Sequence, residues 1–194
     1  MEAHRISCQR ALALLVAAGT ALVAGCGASS GSGSPTPDYA KALKSAPAPL
    51  AAIYTQTNFG ARPAILPGGL DALNTELAKL KGTPVVVNAW GSWCGPCRQE
   101  FPYLQQAAAK LGTKVAFLGI DTQDQDAAAK TFLGERPLPY PSYSDPGASV
   151  KSAYHLVGLP ATFIYDSAGK LVNTHEGPYT SEPALAADIQ RFAN

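Results

Sequence analysis

Val85-Val86-Val87-Asn88-Ala89-Trp90-Gly91-Ser92-Trp93-Cys94-Gly95-Pro96-Cys97-Arg98-Gln99-Glu100-Phe101-Pro102 decides how the rest of the chain is read. The Val-rich run that opens it, entered at Pro84, has the length and apolarity of a buried strand. Its last part starts a helical pattern, with Phe101, Leu104 and Leu111 among the apolar positions. The two cysteines therefore fall at a strand-to-helix turn, with Cys94 at the helix N-terminus. Unpaired N–H groups and the positive end of the helix dipole both favour a thiolate there. Lowering a thiol pKa from about 8.5 to about 7 takes roughly 2 kcal/mol. A helix end contributes about 0.3–1 kcal/mol, and up to about 2 where partly buried. A hydrogen bond from the neighbouring Cys97 thiol is a source for the remainder. The stretch is built to make one cysteine nucleophilic and to hold a second within reach.

Working outward, the 194 residues suffice for one ordinary domain plus appendages, and the 46% hydrophobic fraction allows a real core. The 15 Lys and Arg nearly balance the 14 Asp and Glu. This is not the basic excess of a nucleic-acid binder. The 4 cysteines, Cys8, Cys26, Cys94 and Cys97, are too few for a disulfide scaffold.

Arg5 and Arg10 precede an apolar run, Ala11–Ala24. A membrane-spanning helix needs about 20 residues, so this run fits the apolar region of a signal peptide better. It ends in Leu22-Val23-Ala24-Gly25-Cys26, which resembles a bacterial lipobox. Residues 1–25 are accordingly expected to be a lipoprotein signal peptide, and Cys26 the lipidated residue that anchors the protein to the cell membrane. The plainer reading is an ordinary signal peptide that leaves Cys26 as a stray thiol. Residues 26–50, with Gly-Ser repeats and then Ala-Pro-Ala-Pro, read as a flexible tether. The domain is expected over 51–194.

Within it, a short strand is expected near Ala52–Thr57 and a loop over Gly60–Gly69. Leu70, Leu73, Leu77 and Leu80 predict a helix over Leu70–Leu80. The helix after the cysteine turn runs to about Leu111, and Pro102 inside it is expected to kink it. Lys114–Ile120 reads as a strand and Gln125–Leu133 as a helix. Pro137, Pro139 and Pro141 mark a loop, and Ser149–Tyr154 one or two helical turns. Ala161–Tyr165 and Lys170–His175 flank a turn, Asp166-Ser167-Ala168-Gly169, and Glu182–Phe192 closes the chain as a helix. This order points to an α/β fold. Its early strands are parallel through βαβ crossovers and its last two form a hairpin.

Trp93-Cys94-Gly95-Pro96-Cys97 after a Val-rich strand, with Gly158-Leu159-Pro160 entering the later hairpin, resembles the thioredoxin fold. The nearer resemblance is to extracytoplasmic thioredoxin-like proteins of the TlpA/ResA (DsbE-like) family, through Val86-Val87-Asn88-Ala89-Trp90 and Arg98-Gln99-Glu100-Phe101-Pro102. It implies a central mixed β-sheet flanked by helices, here with an N-terminal extension, and thiol–disulfide oxidoreductase activity. Cys94 would attack and Cys97 resolve, with the redox-active Cys94–Cys97 disulfide as the only redox group. Gly95 and Pro96 are the dipeptide of thioredoxin itself, whereas ResA-like proteins often differ there. Pro160 would be a cis proline facing the disulfide, and Leu159 would pair its backbone with an extended substrate. Leu159-Pro160-Ala161 replaces the more usual polar residue beside that proline. Glu100 matches an active-site acid that tunes the cysteines; the plainer reading is a solvated residue of the first helical turn. Asn88 stands where thioredoxin has a buried Asp. Trp93 is expected to flank the site as a substrate platform, and Trp90 to lie in the core.

The expected reaction is reduction of disulfides in exported proteins, apocytochrome c being the family's typical product, with electrons from a membrane thiol donor. The alternatives are an oxidase that forms disulfides in secreted proteins and a non-catalytic, lipid-anchored interaction module with a static disulfide. The protein is expected to act as a monomer outside the cytoplasm. No metal is expected. A zinc site needs two more ligands, and His155 and His175 have no ligand-like spacing. Arg98 stands where a covalent haem site requires His. A peroxiredoxin would need Pro and Thr or Ser where Val87 and Gly91 stand. Asp121, Asp124 and Asp126 lack the rest of a calcium loop and read as a solvated turn. Tyr140 and Tyr143 read as packing residues.

Overall fold

The structure, a computed structural model, describes residues 65–193. The signal peptide, Cys8, Cys26, the tether and the strand expected near Ala52–Thr57 lie outside the described residues. In chain order the elements are β1 (Ile65–Pro67), α1 (Gly69–Lys79), β2 (Val85–Trp90), α2 (Gly95–Leu111), β3 (Ala116–Thr122), α3 (Asp126–Glu135), β4 (Ser142–Asp145), α4 (Ser149–Ala153), β5 (Ala161–Tyr165), β6 (Leu171–Glu176) and α5 (Glu182–Phe192).

They form one mixed sheet in the order β1-β4-β3-β2-β5-β6. β2 runs parallel to β3, and β3 and β1 run parallel to β4. β5 is antiparallel to β2 and forms a hairpin with β6, as the sequence suggests. Every residue of β2 and of β3 is buried, as expected of central strands covered on both faces. Trp90 is fully buried, with Phe101 edge-on at 5.2 Å and Phe132 at 5.7 Å. This aromatic cluster joins the end of β2 to α2 and α3 directly below the cysteine turn.

Two strands occur where loops are expected, β1 inside 60–69 and β4 just after the Pro-rich loop. The sequence of β4, Ser-Tyr-Ser-Asp, is too polar and too short to show a strand pattern. Its polar groups are paired internally. Ser142 Oγ accepts from the Trp90 indole at 3.2 Å, and Asp145 accepts from the N–H groups of Ser149 and Val150 at 2.8 and 2.9 Å. The third strand runs two residues later than expected, to Thr122.

Pro102 does not end α2, which continues to Leu111. A proline lacks the N–H that would bond the carbonyl four residues back, here that of Arg98. Arg136 Nη1 donates to that carbonyl at 3.2 Å instead.

Candidate active site

Cys94, at the end of the turn that follows β2, has an extended backbone and caps α2, its Sγ accepting from the Cys97 N–H at 3.2 Å. The spacing of two residues brings the Cα atoms to 5.3 Å, and the pair is bridged as a disulfide. Pro96 falls in the first turn of the helix, where a missing N–H has no helical partner to lose. Cys97 is fully buried and Cys94 shows 3% of its surface, so Cys94 alone of the pair touches solvent. Gly95 and Pro96 are exposed beside it. Trp93 is 58% exposed, with its indole N–H donating to the Gln123 carbonyl at 2.9 Å.

Register places Pro160 at the same end of the sheet. Ala161 pairs with Ala89, so Pro160 stands across from the point where β2 gives way to the cysteine turn. The Leu159–Pro160 bond is cis, and the Pro160 carbonyl accepts from the Gly177 N–H at 2.9 Å. The N–H and carbonyl of Leu159 take no hydrogen bond among the described residues.

Glu100 follows Cys97 by three residues, hence on the same face of α2 one turn further in. It is fully buried, which replaces the reading of a solvated first-turn residue. Asn88 Nδ2 donates to Glu100 Oε1 at 2.8 Å and the Tyr179 N–H donates to Oε2 at 3.0 Å. Burial pushes the carboxyl up to about 7, against the pull of those two donors. Asn88 Nδ2 also reaches Thr162 Oγ1 at 3.3 Å, its direct partner across β2 and β5, while Asn88 Oδ1 has no partner among the described residues.

The other side of the turn is acidic. Asp121 is 1% exposed, contrary to a solvated turn, and among the described residues no group donates to either of its carboxyl oxygens. Burial pushes it up to about 8, with the Asp124 charge the next contributor. Asp124 accepts from the N–H groups of Ser92 and Gln125, and Asp126 accepts from Ser144 Oγ at 2.7 Å. Among the described residues no group of three or more His, Cys, Asp or Glu stands ready for a metal ion. His175 stacks on Tyr179 at 4.0 Å and His155 is exposed. Tyr143 is buried, and Tyr140 stacks on Phe117 at 5.7 Å.

Sequence reasoning did not find the partners of these groups. Tyr179 reaches Glu100 through its backbone, which leaves no mark on the sequence. Arg98, whose Nη1 donates to the Ser92 carbonyl at 3.1 Å, reads only as a family-pattern residue. The roles of Gln123 and Asp124 depend on how the loop after β3 folds towards the turn.

A mixed sheet carrying a bridged Cys-Gly-Pro-Cys at a strand-to-helix turn, with a cis proline across from it, defines a thioredoxin-fold disulfide protein. The Redoxin family matches residues 35–189, and the chain belongs to that family, on its thioredoxin-like ResA/DsbE side. It is 33% identical over 114 residues to the thiol-disulfide oxidoreductase ResA of Bacillus thuringiensis, covering 58% of this chain and 66% of that one. It is 36% identical over 120 residues to the thiol:disulfide interchange protein DsbE homolog of Paracoccus denitrificans, covering 61% and 64%. The chain thus spans just under two thirds of the length of these curated relatives. Among solved structures it is similar to a secreted Mycobacterium tuberculosis disulfide oxidoreductase homologous to Escherichia coli DsbE. That match has 26% identity and a TM-score of 0.54, and covers 59% of this chain and 86% of the other.

Proposed function

We propose that this protein is an extracytoplasmic thiol–disulfide oxidoreductase that reduces disulfides in exported proteins, apocytochrome c among them. A lipid on Cys26 would hold it to the membrane, where a membrane thiol donor would return the pair to the dithiol state. The observation that carries the reading is the bridged Cys94–Cys97 pair at the N-terminus of α2, with only Cys94 open to solvent. The names of the ResA and DsbE relatives agree with it.

The reaction follows from that geometry. In the dithiol form, the Cys94 thiolate attacks one sulfur of a substrate disulfide. A mixed disulfide forms and the other substrate sulfur leaves as a thiolate. Cys97 then loses its proton and attacks Cys94 Sγ, which releases the second substrate thiolate and closes the Cys94–Cys97 bridge. Two electrons pass to the substrate. The buried Glu100, one turn beyond Cys97, is the acid–base group nearest in sequence to the resolving thiol, and its position near neutrality suits taking that proton. The unbonded Leu159 backbone offers a donor and an acceptor to an extended substrate segment, as in strand addition. Trp93 supplies an apolar face alongside.

Reduction of insulin by dithiothreitol tests the reading. The parent protein should accelerate it, and Cys94→Ser should return the rate to that of dithiothreitol alone. No acceleration by the parent would point to a static disulfide and a non-catalytic role.

A further inference from the structure

Three residues, Gly91 to Trp93, connect the end of β2 to Cys94, and they are held from two sides. The Ser92 carbonyl accepts from Arg98 on α2 at 3.1 Å. The Ser92 N–H donates to Asp124 Oδ2, in the loop between β3 and α3. The next residue of the turn binds the same loop through the Trp93 indole N–H and the Gln123 carbonyl. Gln123 stands at φ 53°, an uncommon conformation for a residue with a Cβ. The other oxygen of Asp124 accepts from the Gln125 N–H at 2.7 Å, so this carboxylate ties its own loop to the turn. Gly91 permits the arrangement, since a Cβ there would lie 2.8 Å from Trp93 Nε1. None of these contacts involves substrate or either sulfur.

We propose that Asp124 is a positioning residue for disulfide exchange, holding the Ser92–Trp93 backbone so that Cys94 Sγ and the Trp93 face meet an incoming disulfide in a fixed geometry. Exchange needs the attacking, central and leaving sulfurs aligned, and small misplacements of a reacting atom cost rate steeply. Asp121 beside it is pushed up to about 8 and so carries little charge near neutral pH, which leaves Asp124 free of strong repulsion from that side. The inference rests on the reading that Cys94 and Cys97 exchange with disulfides.

Positioning and plain electrostatics make opposite predictions. A negative charge near Cys94 disfavours its thiolate. If charge were all that mattered, Asp124→Ala and Asp124→Asn would both raise the thiolate fraction and speed attack at neutral pH. If Asp124 positions the turn, Asp124→Ala slows attack, and Asp124→Asn restores most of the rate because its one carbonyl oxygen still accepts from the Ser92 N–H, the Gln125 N–H alone losing its acceptor.

The test uses the full chain, reduced and in detergent, with oxidised glutathione as the probe. The rate of attack is divided by the thiolate fraction, taken from a thiol titration. Loss of a hydrogen bond to a charged group predicts a rate about tenfold lower for Asp124→Ala, with Asp124→Asn within about threefold of the parent. The fluorescence of Trp93 should shift to the red in Asp124→Ala, while Trp90, buried on Ser142, stays constant. Attack by Asp124→Ala at the parent's thiolate-corrected rate would overturn the proposal. So would an Asp124→Asn as slow as the alanine variant. A parent protein that does not exchange with glutathione would instead overturn the functional reading, and the Trp93 emission would then decide the clamp by itself.

Discussion

Glu100 and Asp121 are both buried carboxyls at the ends of elements that meet the cysteine turn, yet their surroundings differ. Glu100 accepts from two donors, one on each oxygen, and stands at about 7. Asp121, across the sheet register from Trp90, accepts from no described residue and stands at about 8 among other acids. The difference shows what donors do in a dry site. Donors hold a desolvated carboxyl near neutrality, whereas burial among other acids without them keeps a carboxyl protonated. In the proposed mechanism Glu100 can therefore change its proton. A protonated Glu100 gains a hydrogen to donate, and the unpartnered Asn88 Oδ1 becomes its acceptor after a half rotation of the amide. Asp121 is set among acids instead, with Asp124 the nearest contributor after burial, and remains a static neutral group near pH 7.

The contrast can be broken by removing each carboxyl in turn, beginning with the larger effect. A carboxyl whose pKa is raised on folding binds its proton more tightly in the native state. Native stability is therefore greatest below the unfolded pKa and falls as pH rises to the folded one. For Asp121 this window runs from 3.8 to about 8. Asp121→Asn, which cannot ionise, should match the parent near pH 4 and exceed it at pH 8 by up to roughly 5 kcal/mol. Denaturant titrations at the two pH values measure it, and equal gains at both would show that Asp121 is not desolvated as described.

For Glu100 the window is narrower, from 4.5 to about 7. Glu100→Gln should gain about 3 kcal/mol relative to the parent across that window and nothing further above it. The same substitution should also slow resolution of a mixed disulfide without slowing its formation, since it removes a proton acceptor near Cys97 and leaves Cys94 untouched. A Glu100→Gln protein with an unchanged resolution rate would make Glu100 as static as Asp121.

Much of this was legible in the sequence. The Val-rich run, the Cys-x-x-Cys spacing and the proline after Gly158-Leu159 place the disulfide, its strand and the hairpin, because each is a strong local pattern. β4 was not legible, since its polar residues serve Trp90 and α4 rather than a period-two face. The burial of Glu100 and Asp121 was not legible either. A first-turn glutamate and an acidic turn look the same in sequence whether they face water or the core. The Asp124 clamp depends on a loop-to-turn contact across 32 residues, formed by a side chain on a backbone N–H that any residue supplies.

The most direct measurement of the central claim is the reduction potential of the Cys94–Cys97 pair, by equilibration with glutathione or dithiothreitol buffers. A reductase of exported proteins predicts a value near about −270 mV, like thioredoxin's. A value near about −120 mV would contradict it and make the protein an oxidase that forms disulfides.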